Sequence, residues 1–233
     1  QRTDPRTYYP AHSMPIPLPN VKRFGTIRSM KKSSSLPSCH DFHKVLAERT
    51  EHPERSAQID KRIKREFEKV RTIFVLDMSG FSRTVQRYGL IHYLAMIHKM
   101  QRITRPIVES HKGFVVKYEA DNCFAVFPNP DLAVAAAVDI RHDLEVANLM
   151  TDDESDVHVA IGIGHGPILL FCDDLFGNEM NLASKLGEDT ADAGEVLLTT
   201  AAKKGIKSKS FSFQTFSLTI SGINMRAFKL KNK

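Results

Sequence analysis

Two aspartates in this chain of 233 residues stand where apolar runs meet tight turns, and their surroundings are the ones most suited to chemistry. In RTIFVLDMSGF (71–81), Ile73 to Leu76 run straight into Asp77, and Ser79-Gly80-Phe81 follow; in FVVKYEADNCFAVF (114–127), apolar and β-branched residues flank Asp121. A buried strand that delivers a carboxylate to a glycine turn suits a hard cation and a polyphosphate. The carboxylate supplies an anionic oxygen, and backbone N–H groups of the turn face phosphate oxygens. The first string alone reads as a strand ending in a polar turn; the second carboxylate segment shifts the reading toward cation chemistry. Other candidates carry less. His165 has no nucleophile beside it and reads as structural. Gly162, Gly164 and Gly166 allow close backbone approach but lack the strand-turn-helix context of a dinucleotide loop. TDDESD (151–156) lacks EF-hand spacing. Cys39, Cys123 and Cys172 show no CxxC pairing for zinc and no disulfide framework.

The elements that must position these groups follow from periodicity. Residues 56–70 place Ile59, Ile63, Phe67 and Val70 on one face of a basic amphipathic helix, which either pairs with a copy of itself or lies on its own domain. After the Asp77 strand, Val85 to Ser110 reads as one long helix. Its apolar face is Leu90, Leu94, Ile97, Met100 and Ile103, with a kink at Pro106. Residues 114–127 make two strands joined by a turn at Glu119 to Asn122, which puts Asp121 at a hairpin tip beside the strand of Asp77. An alanine-rich helix spans Asp131 to Asn148, a strand spans Val157 to Leu170, and a helix opens at about Asn178 with Asn181, Ser184 and Lys185 one turn apart. Short strands close the chain at 194–199 and 211–230. This order is α+β, a ferredoxin-like βαββαβ core with an added helix and C-terminal strands.

A hydrophobic content of 42% supports one sizeable core. The net charge of +6 comes mainly from the ends rather than from a pattern interleaved with aromatics, so no nucleic-acid surface is indicated. Residues 1–55 form a basic, Pro/Ser-rich extension too poor in apolar residues to order itself, suited to docking on an acidic partner along an extended path. No apolar run approaches a membrane span and no signal peptide is apparent, so a cytoplasmic protein is expected.

Residues 71–233 resemble the catalytic domain of class III adenylate and guanylate cyclases. The resemblance rests on FVLDMSGF (74–81), GFVVKYEADNCFAVF (113–127), IGIGHGPIL (161–169) and DLFGNEMNLASKLGE (174–188), in that order and spacing. It implies a head-to-tail homodimer that turns a nucleoside triphosphate into a cyclic nucleotide and pyrophosphate. By motif position, Asp77 and Asp121 hold two Mg2+ or Mn2+ ions per site, and the backbone around Ser79, Gly80 and Phe81 cradles the triphosphate. Lys117 donates to an adenine ring nitrogen and Asp174 accepts from the exocyclic amine, so ATP is preferred to GTP. Asn181 orients the ribose. Lys185 stands where the family usually has an arginine at the α-phosphate, and lysine lacks the planar fork of donors. Ala120 replaces a glycine, and SGINMR near Ser221 lacks the usual triphosphate lysine, which leaves Arg226 or Lys229 to substitute. The expected activity is adenylate cyclase. The rival is a catalytically weak cyclase-homology domain acting as a nucleotide-sensing or structural subunit, tethered through its N-terminal extension to a larger cytoskeletal or ciliary assembly.

Overall fold

The two segments that carry the aspartates are neighbours in a single sheet. The computed structural model describes residues 39–171, 173–220 and 222–231; the expectations for the extension before residue 39 and for Ser221 lie outside them. From Cys39 the chain runs through α1 (Cys39–Glu51), α2 (Ser56–Phe67), β1 (Glu68–Met78), α3 (Phe81–Tyr88), α4 (Leu90–Ser110), β2 (Phe114–Glu119), β3 (Asn122–Phe127) and α5 (Pro130–Asn148). It continues through β4 (Val159–Phe171), β5 (Asp174–Phe176), α6 (Asn178–Gly187), β6 (Val196–Thr199), α7 (Thr200–Gly205), β7 (Phe213–Ile220) and β8 (Ile223–Leu230). The strand order is β2-β3-β1-β4-β6-β8-β7, with β5 pairing the end of β4. β1 lies antiparallel between β3 and β4. The β1–β4 portion is therefore the expected ferredoxin-like core, and the rest extends one edge.

β1 serves two cores. Phe74, Leu76 and Met78 face α4 and α5 together with Met100, Ile140, Ile161 and Ile163. Ile73 and Val75 point the other way, joining Val116, Phe124, Val126, Ile168, Leu175 and Ala183. A strand buried on both faces shows an unbroken apolar run instead of alternation, which explains why Ile73 to Leu76 stand out in the sequence.

The structure differs from the sequence reading around the helices. The single helix expected over Val85 to Ser110 is two, because Gly89 adopts φ 87 and separates α3 from α4. The buried stripe of α4 is Tyr93, Met96, Met100, Thr104 and Val108, and it continues past Pro106. Leu90 and Leu94, expected on that face, are about half exposed, at 54% and 49%. Counting apolar residues misplaced the face, since the true stripe includes a tyrosine and a threonine whose polar atoms turn inward.

The basic helix also ends earlier than expected, at Phe67. Glu68 to Val70 pair with Leu169 to Pro167 of β4, which leaves Val70 at 56% exposure. Ile59, Ile63 and Phe67 pack on Phe42 and Val45 of α1 and on Leu169 and Phe171, so the helix lies on its own domain. Burying each such side chain contributes about 1.5–3 kcal/mol, enough to hold α1, which buries only Phe42 and Val45. Cys39 of α1 is disulfide-bonded, contrary to the reading from cysteine spacing, while Cys123 is a buried free thiol. Among the described residues, no helix is long and apolar enough to cross a membrane.

Candidate active site

The register Leu76 opposite Cys123 carries Asp77 to the mouth of the β2–β3 hairpin, whose two-residue turn is Ala120-Asp121. Ala120 sits at φ 50, where a non-glycine residue costs on the order of 1 kcal/mol, so the turn holds Asp121 at some expense. Asp77 is half-buried, and its carboxyl is pushed up from 3.8 to about 7. Burial is the main cause, followed by repulsion from Asp121, Glu188 and Asp189. Tyr93, buried on α4, donates its hydroxyl to Asp121 Oδ2 at 2.6 Å and stacks edge-on against Phe81 at 4.9 Å. Burial and this bond raise the phenol well above its ordinary value, so Tyr93 stays a donor. Two carboxylates held together against desolvation and repulsion form the donor set of an oxygen-seeking cation, so the residues fit Mg2+ or Mn2+. Among the described residues no cluster of three or more His, Cys, Asp or Glu side chains is arranged for a metal.

The glycine turn is partly committed already. Ser79 N–H donates to the carbonyl of His158 at 2.9 Å, so a phosphate contact from this turn falls to the amides after it. Gly80, at φ 96, precedes α3, and Phe81 opens that helix, where the first amides lack intrahelical acceptors. A cavity of about 590 Å3 lined by Ser79, Gly80, Arg83, Arg87 and His158 adjoins the turn.

The structure brings Lys117 and Asp174 together. Lys117 Nζ lies 3.1 Å from Asp174 Oδ1, 2.6 Å from Glu119 Oε2 and 5.0 Å from the centre of the Phe124 ring. Its ammonium is held above the ordinary lysine value chiefly by the bond to Glu119, against burial and with help from Asp174. Asp174 opens the short strand β5, and its Oδ1 also accepts the N–H of Leu175 at 2.8 Å.

Asn181 and Lys185 ride on α6, which packs on bare backbone. A Cβ at Gly162 would meet Ala183 O at 2.0 Å, and one at Gly164 would meet Glu179 O at 2.5 Å, so the close approach expected of these glycines is what seats the helix. Glu179 pins it further, accepting from Thr199 Oγ1 at 2.7 Å and from His165 N–H at 3.2 Å. Asn181 is exposed. Lys185 Nζ lies 3.5 Å from Asp189 Oδ2. Of the two residues considered for the absent triphosphate lysine, Lys229 is engaged with Glu195, and Arg226 is exposed on β8.

Sequence reasoning missed Tyr93 and Glu119. Tyr93 resembles any core aromatic at helical spacing, although a buried hydroxyl needs a partner. Glu119 follows Lys117 by two residues on a strand, a spacing that puts both on one face.

Comparison with known proteins adds to this geometry. Residues 63–231 match the model of the adenylate and guanylate cyclase catalytic domain. The protein named "Putative adenylate cyclase 3" of Rhizobium meliloti (strain 1021) is 26% identical over 127 residues, covering 54% of this chain and 22% of its own length. Against a Myxococcus xanthus protein named serine/threonine-protein kinase pkn2 the chain spans only 16% of the relative's length. The adenylyl cyclase CyaB from P. aeruginosa superposes with a TM-score of 0.62 at 19% identity, over 71% of this chain and 95% of that one. A rhodopsin-guanylyl cyclase catalytic core of converted specificity, solved with ATPalphaS, gives 0.61 at 23% identity, over 70% and 97%. At these identities the structures speak for the fold.

Proposed function

Because the chain belongs to the adenylate and guanylate cyclase catalytic-domain family, we propose that it converts ATP to 3′,5′-cyclic AMP and pyrophosphate at the interface of two copies of this domain. The observation that carries the choice of ATP is the pair Lys117–Asp174 at 3.1 Å. Adenine presents an acceptor ring nitrogen beside a donor amine, and an ammonium beside a carboxylate is the complementary arrangement.

In this reading Asp77 and Asp121 of one copy hold the divalent cations, with Tyr93 orienting Asp121. Bound Mg2+ or Mn2+ supplies charge balance at the attacking and departing oxygens. The other copy contributes Lys117 and Asp174 to the base, Asn181 to the ribose and Lys185 to the α-phosphate, where the ribose 3′-oxygen attacks and pyrophosphate departs. Lys185 offers a point charge without the paired donors of arginine, so positioning at the phosphorus rests more heavily on Asn181 and on the amides at Gly80 and Phe81.

The test is cyclic AMP formation from ATP and Mn2+ by the wild-type chain and by Asp77→Ala. Product from the wild type at least 100-fold above the variant supports the reading. No difference, in protein shown to be dimeric and folded, refutes it. That result favours the second reading, a nucleotide-binding or structural domain, for which the engagement of Lys185 by Asp189 speaks.

A further inference from the structure

We propose that the face of α5 turned toward the ends of β7 and β8 is a binding site for a small organic carboxylate with an apolar body. A cavity of about 460 Å3 lies there, within the range of about 300–1,000 Å3 usual for small-molecule sites. None of its lining residues belongs to the candidate active site, so this inference stands or falls independently of the nucleotide reading. One wall is a single stripe of α5, on which Val138, Arg141, His142 and Glu145 follow one another at helical spacing. A different stripe of the same helix, with Ala137, Ile140 and Leu144, is spent on the core. The opposite wall is the chain entering β7 and leaving β8, tied together where Lys231 N–H donates to the carbonyl of Ser212 at 2.9 Å. It brings Phe211 and Leu230 to the cavity.

The lining changes character with depth. Leu230 is buried and Phe211 half-buried, which makes an apolar floor, while His142 and Lys231 are exposed at the rim. Arg141 decides what the ligand must carry. Its side chain is only 15% exposed, and among the described residues its Nε is buried without a hydrogen-bond partner. Glu145 lies 3.9 Å from a terminal nitrogen of Arg141, beyond hydrogen-bond reach, and is itself 68% exposed. A guanidinium removed from water without a partner is costly, and an anion that supplies the partner recovers that cost on binding. The guanidinium presents parallel N–H donors that match the two oxygens of a carboxylate. Glu145, mostly in water, gives way to such a ligand at little cost. Lys231, and His142 when protonated, outweigh the charge of Glu145, so the lining as a whole favours an anion. Inorganic phosphate would satisfy the charge and leave Phe211 and Leu230 uncovered. A carboxylate at Arg141 with a hydrocarbon chain laid over that floor satisfies both.

The experiment is calorimetric titration of the full chain with octanoate, with octanol and inorganic phosphate as the uncharged and the non-apolar controls. The expected result is saturable binding of one octanoate per chain, with octanol and phosphate each at least 10-fold weaker. Arg141→Gln should weaken octanoate about 10–100-fold, the range for loss of a charge-assisted hydrogen bond. Arg141→Lys keeps the buried charge without the fork and should also weaken it at least 10-fold, so the inference remains testable if the glutamine variant does not fold. Lys231→Gln, at the exposed rim, should weaken octanoate about 2–5-fold with the melting temperature unchanged, as fits an exposed charge. The proposal is overturned if octanoate does not bind saturably, if octanol or phosphate binds as tightly, or if folded Arg141→Gln or Arg141→Lys keeps its affinity within about 3-fold of wild type.

Discussion

Asp77→Asn keeps the shape of the side chain and removes a charge that β1 holds half-buried among Asp121, Glu188 and Asp189. The folded chain raises this carboxyl from 3.8 to about 7, so it binds the proton more tightly than the unfolded chain does. The carboxylate therefore costs nothing below pH 3.8, costs progressively more between 3.8 and 7, and imposes its full penalty above 7. At about 1.36 kcal/mol per tenfold, that gap sets a ceiling of about 4 kcal/mol. Asp77 keeps contact with water, and screening reduces the expected penalty to about 1–2 kcal/mol. In a domain of this size each kcal/mol moves the melting temperature by about 2–4 °C. Asp77→Asn should then melt about 2–8 °C above wild type at pH 8 in EDTA, and together with it at pH 4, as followed by scanning fluorimetry. Mn2+ should reverse the order at pH 8: at 100 times its Kd a ligand adds about 2.7 kcal/mol to the wild type, and the variant gains little. Equal melting at pH 8 in EDTA, or a gain of the same size at pH 4, would show that Asp77 is not held against repulsion and would refute the reasoning.

Three further outcomes are expected. Tyr93→Phe removes the donor to Asp121 and should weaken Mn2+ affinity about 10–100-fold, the usual effect of losing a ligand's orienting partner, with cyclic nucleotide formation restored at high Mn2+; this is read by metal titration of the melting temperature and of activity. Gly162→Ala should destabilise by about 1–3 kcal/mol or block folding, because the new methyl group meets the backbone of α6 at 2.0 Å; the denaturation midpoint checks it. Lys185→Arg should raise kcat by restoring paired donors at the phosphate, and Lys185→Ala should lower it about 10²-fold with KM little changed, as steady-state kinetics will show.

Much of the core was legible because its signals are local. The run Ile73 to Leu76, the acidic turn between two apolar strands, and the alanines of α5 each declare their element without reference to distant residues. What escaped depends on partners remote in sequence. α1 has two buried apolar residues in 13, and Phe42 is covered by α2 and by Phe171, over a hundred residues away, which stacks on it. β5 is three residues long and exists because β4 overshoots its neighbours. The break at Gly89 sits in a segment whose apolar spacing continues across it. At the candidate site, the motif residues were visible as types, but Glu119 as the nearer partner of Lys117 and the commitment of the Ser79 amide to His158 are matters of distance.

The seating of α6 on glycine backbone bears on how this site is open to change. Where α6 crosses Gly162 and Gly164 no strand side chain lies between helix and β4, so at those points its height is set by backbone contact. The outer surface, where Asn181 and Lys185 stand, is free to vary while the helix keeps its spacing from the glycines of β4. In the proposed function, α6 is then a rail whose outward side chains are exchanged one at a time, and a change of rate comes from which side chain the rail carries rather than from where it lies.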